Sequence, residues 1–271
     1  MSFAPNSIVT FTTDFGLDDP YVGIMKGVVL SLNRAAHVVD ISHRIPAHDI
    51  VAAMLVLRSS YSYFPAGTVH VVVVDPGVGS RRRPLLMVSD KHAFVGPDNG
   101  VLSCVFQKER TVRVFHLTEE RHFLKIVSST FHGRDIFAPV AAQISCGTSP
   151  ELFGPEIEDI VRIELPLPRR LGPNKLLGTI LRIDKFGNLI TNLSLDHLVG
   201  PRQSEGSNLR FKVSLGGRNI LRLCQSYSEG MGEEPFAILG SADLLEISVN
   251  QASAAELLEA QATQEFEIEV L

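Results

Sequence analysis

The chain has 271 residues, of which 45% are hydrophobic and 20% charged, as expected for a globular protein with a sizeable core. Its formal net charge is -5 and its longest basic run is Arg81 to Arg83, which argues against nucleic acid as a partner. Because no apolar run reaches about 18 residues and the amino terminus lacks a signal-peptide pattern, we expect no membrane association and a cytoplasmic location.

The first predicted elements are a strand, an acidic turn and a helix. The strand, Ser7 to Thr13, is rich in β-branched and aromatic residues and ends at Asp14. Asp19 and Pro20 are typical of a helix start, as N-cap and first helical residue. The Asp14 carboxylate can accept hydrogen bonds from both hydroxyls of a ribose, although it can equally well cap its own loop.

A second strand, Val38 to Ile41, precedes a helix predicted from Ile50 to Tyr61, with Asp49 at its start. The histidines nearby lack metal-ligand spacing, and we interpret them as surface or capping residues: His37, His43 and His48. The cysteines are far apart without any CxxC pair, and we expect them to be buried, inert thiols: Cys104, Cys146 and Cys224.

The most informative stretch runs from Val71 to Arg83. Four consecutive valines, Val71 to Val74, predict a central strand of a parallel sheet, buried on both faces. Asp75 follows at the carboxyl end of the strand, where ligands bind in open α/β sheets. The glycines at 77 and 79 allow a tight turn. One of the arginines at 81 to 83 can therefore turn back towards Asp75, although such a basic run is more often a solvated surface.

A second candidate loop lies around His132. It follows a predicted strand pair, Leu85 to Val88 and His92 to Val95, and it precedes a helix-like run. A lone histidine is usually structural. Here the adjacent Arg134 and Asp135 can pair, and the loop belongs to the same predicted sheet, which favours a functional site.

The composition changes around residue 165. A stretch rich in proline and glycine predicts a linker, residues 166–177, between domains at 1–165 and 178–271. Before it, strands alternate with helices, which predicts an α/β domain with a mostly parallel sheet. After it, short strands and turns predict a smaller, mostly β domain. Its expected strands are Thr179 to Ile183, Leu209 to Leu215, Asn219 to Leu223 and Leu244 to Val249.

Five motifs occur in order along the chain: TTDFG, VDPGVG, TFHGRD, DKFGN and GSADLLEISVNQASAAELL. Each alone is a weak signal, but together they span nearly the whole sequence. With these motifs the chain resembles the S-adenosylmethionine hydrolases (adenosine-forming), also called SAM hydroxide adenosyltransferases. These enzymes are hydrolytic relatives of the fluorinase and chlorinase.

The resemblance implies an α/β sandwich-like amino-terminal domain and a β-barrel-like carboxy-terminal domain that completes the adenosine site. It implies a homotrimer with sites between neighbouring subunits, and no metal or organic cofactor. The implied reaction is hydrolysis of S-adenosyl-L-methionine to adenosine and L-methionine, by attack of water or hydroxide on the ribose 5′ carbon.

Residue by residue, the catalytic trio of the family falls on Asp75, Arg82 and His132, and which of them accepts the proton stays open. The implied substrate-binding residues are Asp14, Asp75, Asn188, Ser241, Glu246 and Val249.

Three alternatives compete with this interpretation. Halogenating relatives carry tyrosines at the positions of Asp75 and His132, and the fluorinase carries serine at Gly133, so this chain favours water over halide. The TTDFGLDD stretch faintly resembles a calcium-dependent nucleoside hydrolase, but Thr12 stands where that family needs an aspartate ligand. A non-catalytic protein that senses adenosine or S-adenosylmethionine stays open, because its binding residues would look the same.

Overall fold

In the computed structural model, which describes residues 3–199, 210–241 and 243–271, the apolar strands of the amino-terminal part form one six-stranded sheet. The chain divides into two units, Met1–Glu164 and Leu165–Leu271, each with its own hydrophobic core. Among the described residues, no helix is both long and apolar enough to cross a membrane.

The sheet of the first unit has the spatial order β2-β1-β3-β5-β4-β6. Only β4 runs antiparallel to its neighbours, which confirms the prediction of a mostly parallel sheet. Strand β3 lies inside the sheet and is buried along its whole length, as the run of valines predicts. The strands are β1 Ile8–Thr13, β2 His37–Ser42, β3 Val69–Val73, β4 Pro84–Ser89, β5 Ala93–Pro97 and β6 Val112–His116.

Helices cover this sheet. Helix α1 packs on α4, and α4 packs on β1, β3 and β5, while α2 contacts β1 and β2. The helices are α1 Tyr21–Leu32, α2 Ile50–Ser60, α3 Val105–Lys108 and α4 Ala138–Ser145, with a wide π turn, Gly133–Phe137, leading into α4.

Three local predictions for this unit turn out differently. Asp49 caps α2 as expected, but Asp19 does not cap α1, because Pro20 takes that position and its carbonyl accepts the N–H of Ile24. His43 is buried rather than on the surface, because it directly follows β2 at the end where β2 pairs with β1. Cys146 is exposed, because it lies just beyond the carboxyl end of α4.

The second unit is a curled, half-barrel sheet, which confirms the β-barrel-like prediction. Its order is β11-β10-β15-β8-β9-β14-β13-β12, and β7 also pairs with β8. A register shift between Ile180 and Arg182 marks the place where the long β8 pairs with β9. The strands are β7 Arg169–Arg170, β8 Lys175–Ile183, β9 Leu189–Thr191, β10 Phe211–Leu215, β11 Arg218–Ile220, β12 Leu223–Cys224, β13 Phe236–Leu239, β14 Leu245–Ser248 and β15 Glu265–Val270.

Two short helices, α5 Leu195–Val199 and α6 Ala254–Leu257, complete this unit. The prediction of one strand from Asn219 to Leu223 was wrong, because this stretch is divided between two strands, β11 and β12, which pair with different partners. The predicted start of the strand at Leu209 lies outside the described residues. Residues 166–177, predicted as a linker, include β7 and the beginning of β8.

Candidate active site

A buried ion pair lies at the carboxyl end of β3. Arg82 Nε donates to Asp75 Oδ1 at 2.9 Å, and Arg82 Nη2 donates to Asp75 Oδ2. The Asp75 side chain is 5% exposed and that of Arg82 is 8% exposed. The turn formed by residues 76–81 therefore brings the second of the three arginines back to the carboxylate. A bidentate pair of this kind fixes the orientation of both groups.

His132 contacts the same guanidinium, with 2.7 Å between Arg82 Nη2 and His132 Nδ1. A guanidinium group only donates hydrogen bonds, so Nδ1 must accept, and the proton of the neutral imidazole is then on Nε2. Burial, followed by the positive charge of Arg82, lowers the pKa of His132 below its ordinary value of 6.5. In the described part of the chain, Arg82 Nη1 is buried without a hydrogen-bond partner, which leaves one charged donor available.

Beside this trio lies a cavity of about 240 Å³. Asp14 lies at its wall, directly beyond β1, and its Oδ2 accepts the backbone N–H of His48 at 2.9 Å. The ends of β1 and β3 thus place two carboxylates at one cavity. The lining residues are Asp14, Phe15, Ala47, His48, Val73, Asp75, Val78, Thr130, Phe131, His132 and Gly133.

The residues that follow His132 in the chain pack against other parts of the site. Phe137, in the π turn, lies under the guanidinium of Arg82, with 5.3 Å from Arg82 Cζ to the ring centroid. Gly133 is closely surrounded, because a Cβ there would lie 3.1 Å from Met25 Sδ and 3.2 Å from the Phe131 ring. Wide helical turns of this kind are frequent at functional sites.

Gly79 determines how closely the two cavity loops approach each other. Its φ is +75°, and a Cβ there would lie 2.2 Å from the carbonyl oxygen of Ser129. Gly79→Ala is therefore expected to lower the free energy of unfolding by about 3 kcal/mol, since it adds a clash to backbone strain. Urea denaturation measures the change.

Gly217→Ala is the matched control, because Gly217 has a φ of +69° and nothing within 4 Å of its Cβ position. This variant should cost only the backbone strain, about 1 kcal/mol. Equal losses in the two alanine variants would show that the contact with Ser129 does not constrain the cavity loops.

The predicted residues of the second unit lie on or next to β9 and β14. Asn188 precedes β9, and its amide donates to Asp184 Oδ2 at 2.9 Å. Glu246 is on β14, opposite Ile190, and accepts from the Tyr227 hydroxyl at 2.9 Å. Burial raises the pKa of Glu246, and burial with the bond to Glu246 raises the pKa of Tyr227 to about 12.

The other two predicted residues of this unit differ in exposure. Val249 is buried just beyond β14, and Ser241 is exposed in the turn before it. Sequence reasoning missed Tyr227 and His48. Tyr227 precedes its partner on β14 by 19 residues, and no spacing rule links the two. Among the described residues, no group of three or more histidine, cysteine, aspartate or glutamate side chains is placed to hold a metal ion.

Two family models match the chain. Residues 9–154 match the SAM hydroxide adenosyltransferase N-terminal domain, and residues 178–267 match the SAM hydroxide adenosyltransferase C-terminal domain.

Individual relatives agree with these matches. The (R)-S-adenosyl-L-methionine hydrolase of Thermus thermophilus is 37% identical over 92% of this chain and 94% of that protein. The hydrolase of the same name from Methanocaldococcus jannaschii is 34% identical over 96% and 95%. A fluorinase of Actinopolyspora mzabensis is more distant, at 23% identity over 92% of each chain. A crystal structure of an uncharacterized conserved protein from Thermotoga maritima superposes with a TM-score of 0.88 and 32% identity, covering 96% of this chain and 99% of that one.

Proposed function

The chain belongs to the SAM hydroxide adenosyltransferase family, and from this premise we propose that it hydrolyses S-adenosyl-L-methionine to adenosine and L-methionine. The observation that carries the proposal is the hydrogen-bonded trio of Asp75, Arg82 and His132 at a cavity that also presents Asp14. The curated relatives are named for the (R) form of the substrate, and the proposal extends to that form.

The reaction needs a positioned nucleophile more than an acid. Attack on the ribose 5′ carbon expels methionine as a neutral thioether, so the leaving group requires no proton. The enzyme must align a water opposite the C–S bond and assist the loss of its proton. Alignment alone removes roughly 7–11 kcal/mol of barrier in the best intramolecular cases.

The hydrogen bonds of the trio suggest a role for each member. His132 Nδ1 is occupied by Arg82, so His132 offers the water a donor, Nε2–H, rather than a base. Asp75 accepts one bond from Arg82 at each oxygen and keeps further lone pairs, so it is the proposed proton acceptor. Arg82 Nη1, which has no hydrogen-bond partner among the described residues, and the imidazole N–H would then stabilise the developing hydroxide.

The size of the cavity limits what it can hold. At about 240 Å³ it is smaller than the roughly 300–1,000 Å³ of sites for drug-sized ligands, and it suits the ribose and the reacting carbon. Asp14 is the proposed acceptor for the ribose hydroxyls. The proposed adenine contacts are Asn188, Ser241, Glu246 and Val249. We further propose that the enzyme works as a homotrimer in the cytoplasm, consistent with its free cysteines.

The proposed role of His132 predicts a pH dependence. Only the neutral ring can accept at Nδ1, and the lowered pKa of His132 favours this neutral form down to a lower pH than in a free histidine. We therefore expect protonation of His132 to reduce kcat/KM along an acidic limb whose midpoint lies below pH 6.5. His132→Asn, which keeps an acceptor oxygen but does not titrate, should lose this part of the profile. An acidic limb with its midpoint above 6.5 would contradict this role for His132.

Product analysis tests the proposed function. Purified, EDTA-treated protein is incubated with S-adenosyl-L-methionine, with and without added chloride or fluoride, and the products are separated by chromatography. The proposal predicts adenosine and methionine in every sample. A 5′-halogenated adenosine that depends on the halide would identify a halogenase. Bound but unchanged substrate would identify a sensor.

A further inference from the structure

The connection between β2 and α2, residues 43–49, contacts the turn that carries Asp14 at several points. The carbonyl oxygen of His43 accepts the N–H of Gly16 at 2.8 Å. The N–H of His48 donates to the carboxylate of Asp14 at 2.9 Å. These two hydrogen bonds hold the turn at the Asp14 carboxylate and at the backbone of Gly16.

A side-chain contact holds the turn on its other side. His43 Nδ1 lies 2.9 Å from the hydroxyl of Thr13, the last residue of β1. The same hydroxyl oxygen accepts the N–H of Phe15 at 3.3 Å, so Thr13 links the imidazole to the backbone on the far side of Asp14. Thr13 is 0% exposed and the His43 side chain is 3% exposed, so water does not compete for this contact.

The outer edge of the His43 ring faces the carboxylate of Asp40. His43 Nε2 lies 3.0 Å from Asp40 Oδ1, a close contact without hydrogen-bond geometry. Lys26 Nζ of α1 lies 2.6 Å from the other oxygen of Asp40. A continuous series of polar contacts therefore runs from Lys26 through Asp40 and His43 to Thr13.

The backbone at His48 is strained, which supports a functional reason for this arrangement. Its φ is +67°, a conformation that costs a side-chain-bearing residue free energy. The strained peptide supplies the N–H that Asp14 accepts, and His48 lines the cavity next to it. Strain of this kind persists only where surrounding contacts impose it.

We propose that His43 is a positioning residue, which acts through Thr13 to fix the Asp14 carboxylate for the ribose hydroxyls. The inference rests on the proposed function, because it takes Asp14 as the ribose acceptor. His48 occupies one site on Oδ2, and a carboxylate has further lone pairs with which to accept the ribose hydroxyls. Displacement by about 1 Å at such a site costs up to about a hundredfold in rate.

The test compares two substitutions of Thr13. Thr13→Val keeps the shape and the β-branched side chain but removes the hydroxyl, and Thr13→Ser keeps the hydroxyl. The measured quantity is the affinity for adenosine relative to 2′-deoxyadenosine, by titration calorimetry, together with kcat/KM for S-adenosyl-L-methionine. We expect the wild type and Thr13→Ser to prefer adenosine by about tenfold or more. Thr13→Val should lose most of that preference, with a similar fall in kcat/KM.

The outcomes separate this inference from the proposed function. A Thr13→Val protein that keeps the wild-type preference overturns the role of His43, even if its melting temperature falls. A wild type without any preference for the 2′-hydroxyl also overturns it. A wild type that binds with this preference but does not hydrolyse the substrate sinks the proposed function and leaves the positioning role standing.

Two further variants complete the experiment. If Thr13→Val does not fold, Asp40→Asn replaces it, because Asp40 is partly exposed and its loss releases only the outer edge of the ring. The same change in preference, smaller in size, is expected, and an unchanged preference overturns the inference. His37→Ala, an exposed histidine on the same strand, is the control that should behave as wild type.

Discussion

Asp75→Asn is expected to lower kcat for S-adenosyl-L-methionine hydrolysis by about a thousandfold, within the usual range for a lost general base. The amide keeps the shape of the carboxylate but cannot take a proton from water. It also offers Arg82 only one acceptor oxygen in place of two. Single-turnover kinetics at saturating substrate measure the chemical step, and binding of adenosine should be largely retained.

Asp98→Asn is the matched control for this variant. Asp98 is also buried and paired with an arginine, Arg83, but neither residue lines the cavity. Loss of this second pair should reduce stability while leaving the activity of the folded enzyme close to that of the wild type. Similar losses of kcat in both variants would mean that Asp75 acts through stability and not through proton transfer.

Arg82→Met is expected to affect stability and activity together. The methionine fills similar space but leaves the 5% exposed Asp75 without its cation, and breaking a buried pair costs about 3–5 kcal/mol. It also removes the donors proposed to stabilise hydroxide, so kcat should fall by about a hundredfold or more. Chemical denaturation and steady-state kinetics measure the two effects.

A double variant tests whether Asp75 and Arg82 stabilise the protein as a coupled pair. In Asp75→Asn with Arg82→Met the unpaired charge is gone, so the loss of stability should be smaller than the sum of the two single losses. Arg83→Met provides the comparison, since it should cost stability without a comparable loss of kcat. Strictly additive losses at Asp75 and Arg82 would contradict a coupled, buried pair.

The elements of the first unit could be predicted because their signals are local. Four valines in a row produce a buried strand, and the glycine-containing loop after it returns the chain towards Asp75. Helix α2 begins at its predicted cap, Asp49, because an N-cap is also a local signal. Three identical side chains in a row gave no local reason to prefer Arg82 over its two neighbours. Only the family resemblance selected it.

Features that depend on tertiary contacts could not be predicted. His43 has an ordinary sequence context, and only the pairing of β1 with β2 buries it beside Thr13. The positive φ of His48 could not be predicted either, because histidine adopts this conformation more often than most residues but still only in a minority of cases. The break between β11 and β12 arises because each pairs with a different neighbour. Such features appear only when distant parts of the chain meet.

The most direct test of the central claim is hydrolysis in ¹⁸O-water, followed by mass spectrometry of the products. Attack of water on the ribose 5′ carbon predicts that the label enters adenosine, at its 5′-hydroxyl, and that methionine carries none. The labelled product should disappear with Asp75→Asn and His132→Ala. Unlabelled adenosine, or cleavage to 5′-methylthioadenosine, would contradict the account.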